Sequence, residues 1–408
     1  MAVTGNFNVG NARSPLLNAN EIFSAIFNMI ISQKVFSDNI KGTYGDLASR
    51  FKIDGTLYGD TKLFYATDAL KSTPWTNDSE AANLLALNRP DAPKCQYVQI
   101  DQFRKIWVTI DNYLTKRAWS TEGAFSQFNS VTIGWMADTK RVYESRLINT
   151  FVGTTVSAAT KANIVVDLAT TSGHPLYNLT GEEKNRVEAS LIAQSVADLL
   201  VDMKDTTRDY NDYKFLRSYS PDDLIFVWNA KWVNKIKKLD LPTMFHKDGL
   251  MDKMDENVLP GRYFGTTITS TNASTYSAST PTTGKPINSS TGAYTPGDNN
   301  ANGCIRSLVE KDYTVSSTTY HVFPGDELVA GATIGASSTN FLYGEVYIEQ
   351  DDVICKVMQN DAVPFMGAFS INTSFYNPRS LTENHYLIWG YSQPCYLYNR
   401  PFLTIKKG

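Results

Sequence analysis

Four carboxylates, Asp202, Asp205, Asp209 and Asp212, recur at spacings of three and four residues, which lines one face if a helix continues through Tyr213. Grouped carboxylates can bind Ca²⁺ or serve as the acid and base of glycoside hydrolysis. Here Lys204 and Arg208 are interleaved, no glycine of a Ca²⁺ loop is present, and the row falls at the expected end of a helix. The expectation is a solvated or ion-paired face, and Asp351 and Asp352 after Glu349 carry the same one. The histidines, His174, His246, His321 and His385, are widely separated, with no second His or Cys at ligand spacing. Cys95, Cys304, Cys355 and Cys395 form no CxxC pair, which argues against zinc and thioredoxin-type chemistry and for reduced thiols buried as small hydrophobes. Neither a phosphate-cradling GxxxxGK loop nor a GxGxxG, GxSxG or HExxH motif occurs. Residue types and spacings indicate no catalytic residue, no metal and no cofactor.

Bulk composition narrows the function classes further. With 408 residues, 42% hydrophobic and 19% charged, the chain can bury a sizeable core as two or three units or one elaborated domain. A formal net charge of -3 argues against gripping a nucleic acid backbone, yet permits enclosing nucleic acid without adhering to it. The N-terminal region lacks the basic stretch of a signal peptide, and its apolar run, broken by Asn28, is too short to span a bilayer. A cytoplasmic origin with no membrane partner is expected.

Several elements can be placed from periodicity. The first eighteen or so residues, rich in Asn and Gly, read as an arm. From Asn20, Ile22, Ile26 and Ile30 form one row and Phe23, Phe27 and Ile31 another, an amphipathic helix that packs on its own domain or on a neighbouring copy. Strand-like pieces follow at Phe51–Ile53 and Thr61–Tyr65. Between Gln96 and Trp119, apolar and polar residues alternate in two runs, and Gln102–Lys105 between them offer no turn former. That stretch reads as long extended chain with a charged middle and no obvious partner nearby. Thr121–Phe151 then predicts one helix of about 30 residues, roughly 45 Å long, with Phe125, Phe128, Val131, Trp135 and Val142 as its stripe and Gly153 as a stop.

Farther along, Thr180 and Glu183 form a capping box ahead of a stripe of Ile192, Val196, Leu199 and Met203. Leu224–Trp228 reads as a central strand and 230–238 as a short helix, the alternation of an α/β or α+β unit. Residues 265–303, nearly free of charge and dominated by Ser, Thr, Asn, Gly and Pro, read as a surface excursion, a mobile loop or a plain linker. Strands resume at Tyr343–Ile348, Val353–Met358, Tyr386–Trp389 and Phe402–Ile405.

Three strings, DGTLYGDTKLFYATD (54–68), QYVQIDQFRKIWVTIDNYLTKRAW (96–119) with its following helix, and DDLIFVWNAKWVNKI (222–236), resemble in order the major capsid proteins of tailed bacteriophages, the Hong Kong 97 type of shell protein. The resemblance is closest to those of small short-tailed phages that replicate DNA by protein priming. It covers most of the chain, but residues 265–303 have no counterpart in it.

The resemblance implies an α+β fold, the Hong Kong 97-like capsid fold. An N-terminal arm and amphipathic helix would occupy 1–50, an extended E-loop region with flanking P-domain strands 51–118, and the P-domain spine helix 119–155. An axial A-domain with a Ser/Thr-rich insertion at 265–303 would span 156–370, and returning P-domain strands 371–408. It also implies a non-enzymatic protein that assembles with many copies of itself into pentamers and hexamers of an icosahedral shell. Scaffold and portal proteins would be further partners, and double-stranded DNA would be enclosed without sequence-specific binding, in a phage head made in the host cytoplasm. Arg104, Lys105, Ile22, Ile26 and Phe27 become candidates for contacts between subunits. Two other readings stay open: an encapsulin-like shell for protein cargo, and a carbohydrate-active enzyme or adhesin using the Asp202–Asp212 row.

Overall fold

The computed structural model describes residues 47–55, 59–72, 74, 87, 89–111, 122–237, 257–296, 303–337 and 339–408, with backbone alone at 111, 122–133 and 234–237. The expected arm and amphipathic helix, with Ile22, Ile26 and Phe27, lie outside the described residues. In chain order the elements begin with α1 (Leu47–Phe51), β1 (Lys52–Asp54), β2 (Thr61–Ala66) and β3 (Lys94–Asp111). Next come α2 (Glu122–Thr154), β4 (Asn163–Val166), α3 (Gly181–Lys204), β5 (Leu224–Asn229), α4 (Ala230–Lys237) and β6 (Val258–Leu259). Short strands follow: β7 (Gly265–Thr267), β8 (Ser277–Ala278), β9 (Ile287–Asn288), β10 (Ile305–Ser307) and β11 (Lys311–Val315). After these come β12 (Thr318–Val322), β13 (Ile334–Gly335), β14 (Phe341–Leu342) and β15 (Val346–Glu349). The chain closes with β16 (Val353–Gln359), β17 (Phe365–Asn377), β18 (Thr382–Ser392) and β19 (Phe402–Lys407).

Two five-stranded sheets carry the architecture, one ordered β1-β17-β18-β3-β2 and the other β4-β19-β16-β5-β6. The 33-residue α2, about 50 Å at 1.5 Å per residue, packs against both. Its buried side chains include Met136, Tyr143, Ile148 and Val152, and these meet Ile225 and Met358 of the second sheet and Leu387 and Trp389 of the first. Of the expected stripe, the side chains of Phe125, Phe128 and Val131 lie outside the described ones, and Trp135 and Val142 are only half-buried beside fully buried Met136 and Tyr143. A helix touched from several sides is not read by the position of one apolar row.

Strand β5 is buried at all six positions because both faces of its sheet are covered. Ile225 and Val227 point to the α2 side, whereas Leu224, Phe226 and Trp228 join Ile192, Val196 and Leu199 of α3. The α3 stripe is thus buried as its spacing requires, but the capping box is not closed: Thr180 has extended backbone and makes no side-chain cap hydrogen bond.

Strand β3 is a single 18-residue strand, and its long-range partner lies in the same chain. Residues 100–111 pair antiparallel with β18, and residues 94–99 with β2. Of the two closing strands expected in one sheet, only that at Tyr386 joins β3. That at Phe402 pairs with β16 and β4 in the second sheet, where its four leading residues are buried on both faces.

Residues 265–303 differ most from the loop or linker that their composition implies. The described part is neither loop nor linker: with 305–349 it forms a small β unit whose core contains Ile268, Ile287, Tyr294, Tyr313 and Phe341. Its own few apolar residues are insufficient, and the later segment supplies the rest, which local composition does not register.

Two close contacts weld α2 to its surroundings. Gly153 is inside the helix and does not stop it; a Cβ there would lie 2.0 Å from the carbonyl oxygen of Tyr263, so only glycine admits that backbone. At the helix C-terminus, Lys356 of β16 is 1% exposed, and its Nζ donates to Thr155 O and Thr404 Oγ1, each at 2.8 Å. An amine at the negative end of the helix dipole is favourably placed, yet burial pulls its pKa from 10.5 to about 7.

Two outcomes are expected. Gly153→Ala costs about 2 kcal/mol or more in urea unfolding, whereas Gly134→Ala, where a Cβ meets nothing within 4 Å, gains about 0.5–1 kcal/mol. For Lys356, the unfolded chain binds the extra proton between pH about 7 and 10.5, so this group makes stability rise with pH across that window. Lys356→Met therefore flattens the rise, and an unfolding free energy with undiminished slope against pH would exclude the assignment.

Candidate functional site

The residues that spacing marked for chemistry are already occupied. Helix α3 ends at Lys204 and Asp205 is extended, so the four carboxylates share no helix face. Lys161 Nζ lies 2.7 Å from Asp202 Oδ2 and 3.3 Å from Asp209 Oδ2, and the Tyr210 hydroxyl donates to Asp202. The ammonium first and the tyrosine second hold the Asp202 carboxyl below its usual range. Asp205 accepts from the Thr206 N–H, and Asp212 accepts the Tyr396 hydroxyl at 2.6 Å. The carboxylates are ion-paired or hydrogen-bonded as expected, but not through the interleaved cations: the pairing ammonium is Lys161, and Arg208 turns to Asp68.

Among the described residues no group of three or more His, Cys, Asp or Glu is arranged to hold a metal ion. The four cysteines are free, but only Cys355 is fully buried; Cys304 and Cys395 are half-buried and Cys95 is exposed. Burial pushes the Cys304 and Cys395 thiols up to about 11, away from thiolate chemistry. No helix among the described residues is long and apolar enough to cross a membrane.

What the structure does assemble is a sheet with two unlike faces. Even-numbered residues of β3, among them Ile106, Val108 and Ile110, turn inward, with Ile106 and Val108 packed toward the core around α2. Odd-numbered residues from Cys95 to Thr109 turn outward and are exposed. Large apolar groups stand on that outer side: Trp107 is 62% exposed and Tyr97 68%, with Phe103, Leu63 and Tyr65 beside them. Register continues the row across the sheet, aligning Trp107 with Tyr386 and Thr373, and Phe375 packs edge-on against Tyr386 at 5.9 Å. Trp and Tyr are the residue types that anchor interfaces, and here they stand exposed on one side of the sheet.

The alternation separates the two cationic candidates. Arg104 points inward, where Nη1 lies 2.7 Å from Glu310 Oε2 and the guanidinium sits 4.5 Å from the centre of the Tyr143 ring. Burial opposes its charge, but Tyr143, Tyr391 and Glu310 more than compensate and raise its pKa. Glu310 also lies 3.2 Å from His321 Nε2, whose Nδ1 is 2.6 Å from Asp312. Together with Arg146–Asp326 at 2.8 Å, these pairs clamp the inserted β unit onto α2 and β3. Lys105 points the other way, exposed, with no ion pair among the described residues.

Between the clamp, α2 and the inserted unit lies a half-open cavity of about 380 Å³, walled by Arg104, Tyr143, Thr154, Leu308 and Gln393 among others. Glu310 and Asp326 escaped the sequence reading because their partners are far away in the chain. The outer aromatic row was foreshadowed by the alternation that puts Trp107 opposite Ile106 and Val108, although nothing local showed that its side stays uncovered.

A family model described as Phi29-like phage major capsid protein matches residues 8–392. No curated protein matches the chain. Among solved structures, the capsid of Staphylococcus phage Andhra aligns at 11% identity over 90% of this chain and 85% of that one, with a TM-score of 0.53. A structure of head fiber and inner core protein of native bacteriophage P68 aligns at 12% identity over 89% and 85%, with a TM-score of 0.55. At such identities the likeness concerns the fold.

Substitution at the two neighbours on β3 should have opposite costs. Arg104→Met strands the half-buried Glu310 carboxylate, costing about 2 kcal/mol in subunit stability and hastening amide exchange at 305–328. Lys105→Met changes stability by less than about 0.5 kcal/mol. Equal effects in chemical unfolding would refute the division of roles.

Proposed function

The chain belongs to the Phi29-like phage major capsid protein family, and from that membership we propose how its parts serve the shell of a phage head. The carrying observation is the frame itself: a 33-residue helix that packs from Met136 onward against two sheets, one of which exposes aromatic side chains such as Trp107 and Phe375 on its far side. Such a subunit is complete in its core and incomplete on its surface. It has much to bury against copies of itself, and symmetry repeats each modest interface many times over.

In this reading α2 is the spine of a peripheral P-domain, β2 and the first part of β3 belong to an E-loop reaching an adjacent subunit, and the unit around the second sheet is the axial A-domain. Pentamers and hexamers close an icosahedral shell around double-stranded DNA. The slightly acidic chain suits enclosure without adhesion. The segment before α1, with Ile22, Ile26 and Phe27, supplies the arm that reaches a neighbour, while Leu47 and Ala48 belong to the subunit's own core. Lys105, outward and without an ion pair among the described residues, is the cation offered to an acidic group of the next copy, while Arg104 serves the subunit's own clamp. Scaffold and portal proteins complete the assembly in the host cytoplasm. The role is architectural, with no reaction to catalyse: the carboxylate row that would favour a carbohydrate-active enzyme is taken up by Lys161, Tyr210 and Tyr396.

Electron microscopy of the expressed chain, alone or with its scaffold, should show closed icosahedral particles. Deleting residues 1–20, or making Lys105→Glu, should lower particle yield several-fold while the thermal midpoint of the subunit stays put. A chain that remains monomeric under all these conditions would remove the reading, and full yield from both variants would remove the roles of arm and Lys105.

A further inference from the structure

The two margins of the first sheet are guarded very differently. Ile100 exchanges backbone hydrogen bonds with Gly59 and Asp60 while standing in register with Ser392, so β2 and β18 flank β3 on opposite sides. On the β2 side the margin is short and carries charge: β2 has six residues including Lys62, and the part of β3 beyond it contains Arg104 and Lys105. The opposite margin is β17. Only Phe365–Gly367 pair with β1 there, and among the described residues no strand lies beside the rest.

Strand β17 reads FMGAFSINTSFYN, thirteen residues without a charge or a proline. Its one irregularity falls between Gly367 and Ser370, leaving Ser370–Asn377 in unbroken register with Thr382–Trp389. Natural sheets guard such margins with lysines, prolines, bulges or brevity, because an open flat edge pairs with any available strand. This one has none of those guards over eight residues, about 27 Å at 3.4 Å per residue. It also carries apolar side chains fit to cover an incoming strand. Ile371 is 45% exposed and Phe375 63%, both on the outer face that holds Trp107.

We propose that the Ser370–Asn377 edge is a strand-addition site whose occupant is an extended segment of a second copy of this chain. Backbone hydrogen bonds would hold it, and its apolar side chains would lie over Ile371 and Phe375. The inference rests on the shell reading above. An uncharged edge has no electrostatic means of choosing among partners. A shell of identical subunits supplies the choice by geometry, presenting the same neighbour at a fixed place to every copy.

The test compares assembled heads with free subunits by hydrogen exchange and mass spectrometry, together with Ile371→Lys and Phe375→Lys variants. Assembly should slow exchange of the 370–377 amides by about tenfold or more. Each variant should keep the thermal midpoint of the free subunit and lower particle yield about tenfold, the effect of some 1.4 kcal/mol at the interface. A photo-crosslinker at Ser374 should join the chain to another copy of itself. Heads whose 370–377 amides exchange as in free subunits, or whose crosslinks run to a different protein, overturn this proposal and leave the shell reading intact. A chain that forms no heads overturns both.

Discussion

Burial of α2 between the two sheets is the constraint on which the remaining geometry depends. Its inner residues belong to one apolar cluster with Ile225, Val227 and Met358 on one side and Leu387, Trp389 and Tyr391 on the other. Neither sheet could be repositioned without reopening that cluster. Two local devices fix the helix along its axis. The backbone of Tyr263 approaches at Gly153 too closely for any side chain, and Lys356 reaches through the second sheet to the helix C-terminus. A buried amine without a carboxylate contact is costly, and its retention at this junction fits a requirement for position more than for stability.

From that constraint follows the asymmetry of the first sheet. With α2 on its inner side, period-two alternation in β3, β17 and β18 sends every second residue outward. In a protein that worked alone, those outward positions would be polar. Here they include Trp107, Tyr97 and Phe375. The inserted β unit does not cover them, because Glu310 and Asp326 clamp it on the α2 side through Arg104 and Arg146. The outer face is thereby left to the solvent by the same ion pairs that settle the subunit's interior.

Local periodicity places most of the regular elements of this chain but not how they meet. The bounds of α2, the α3 stripe, β5 and the strands at Val353, Tyr386 and Phe402 all follow from periodicity; the carboxylate row is ion-paired as expected, but by distant Lys161 and not by its interleaved cations. The Thr180 box, by contrast, has the right residues and no hydrogen bond, since its side-chain geometry depends on how the chain enters the helix. Gly153 reads as a helix stop, but its use in a close approach depends on a turn more than a hundred residues later. The candidates Arg104 and Lys105, adjacent in sequence, part company because alternate residues of a strand face opposite ways and only one face has Glu310 waiting.

By itself the sequence determined what is local: which segments are helix or strand, which side chains share a face, and the absence of the familiar catalytic motifs. These are set by spacings of two to four residues and by backbone preference, both written in neighbouring letters. Tertiary structure alone decided that β3 pairs with a strand nearly three hundred residues away, that Phe402 joins the other sheet, and that a Ser/Thr-rich segment completes a core with residues 305–349. Those outcomes turn on which apolar faces and strand edges meet across large separations, where the loss of chain entropy grows only slowly with length and so leaves many partners open. Packing in three separate cores makes the selection, and no window of adjacent residues contains it.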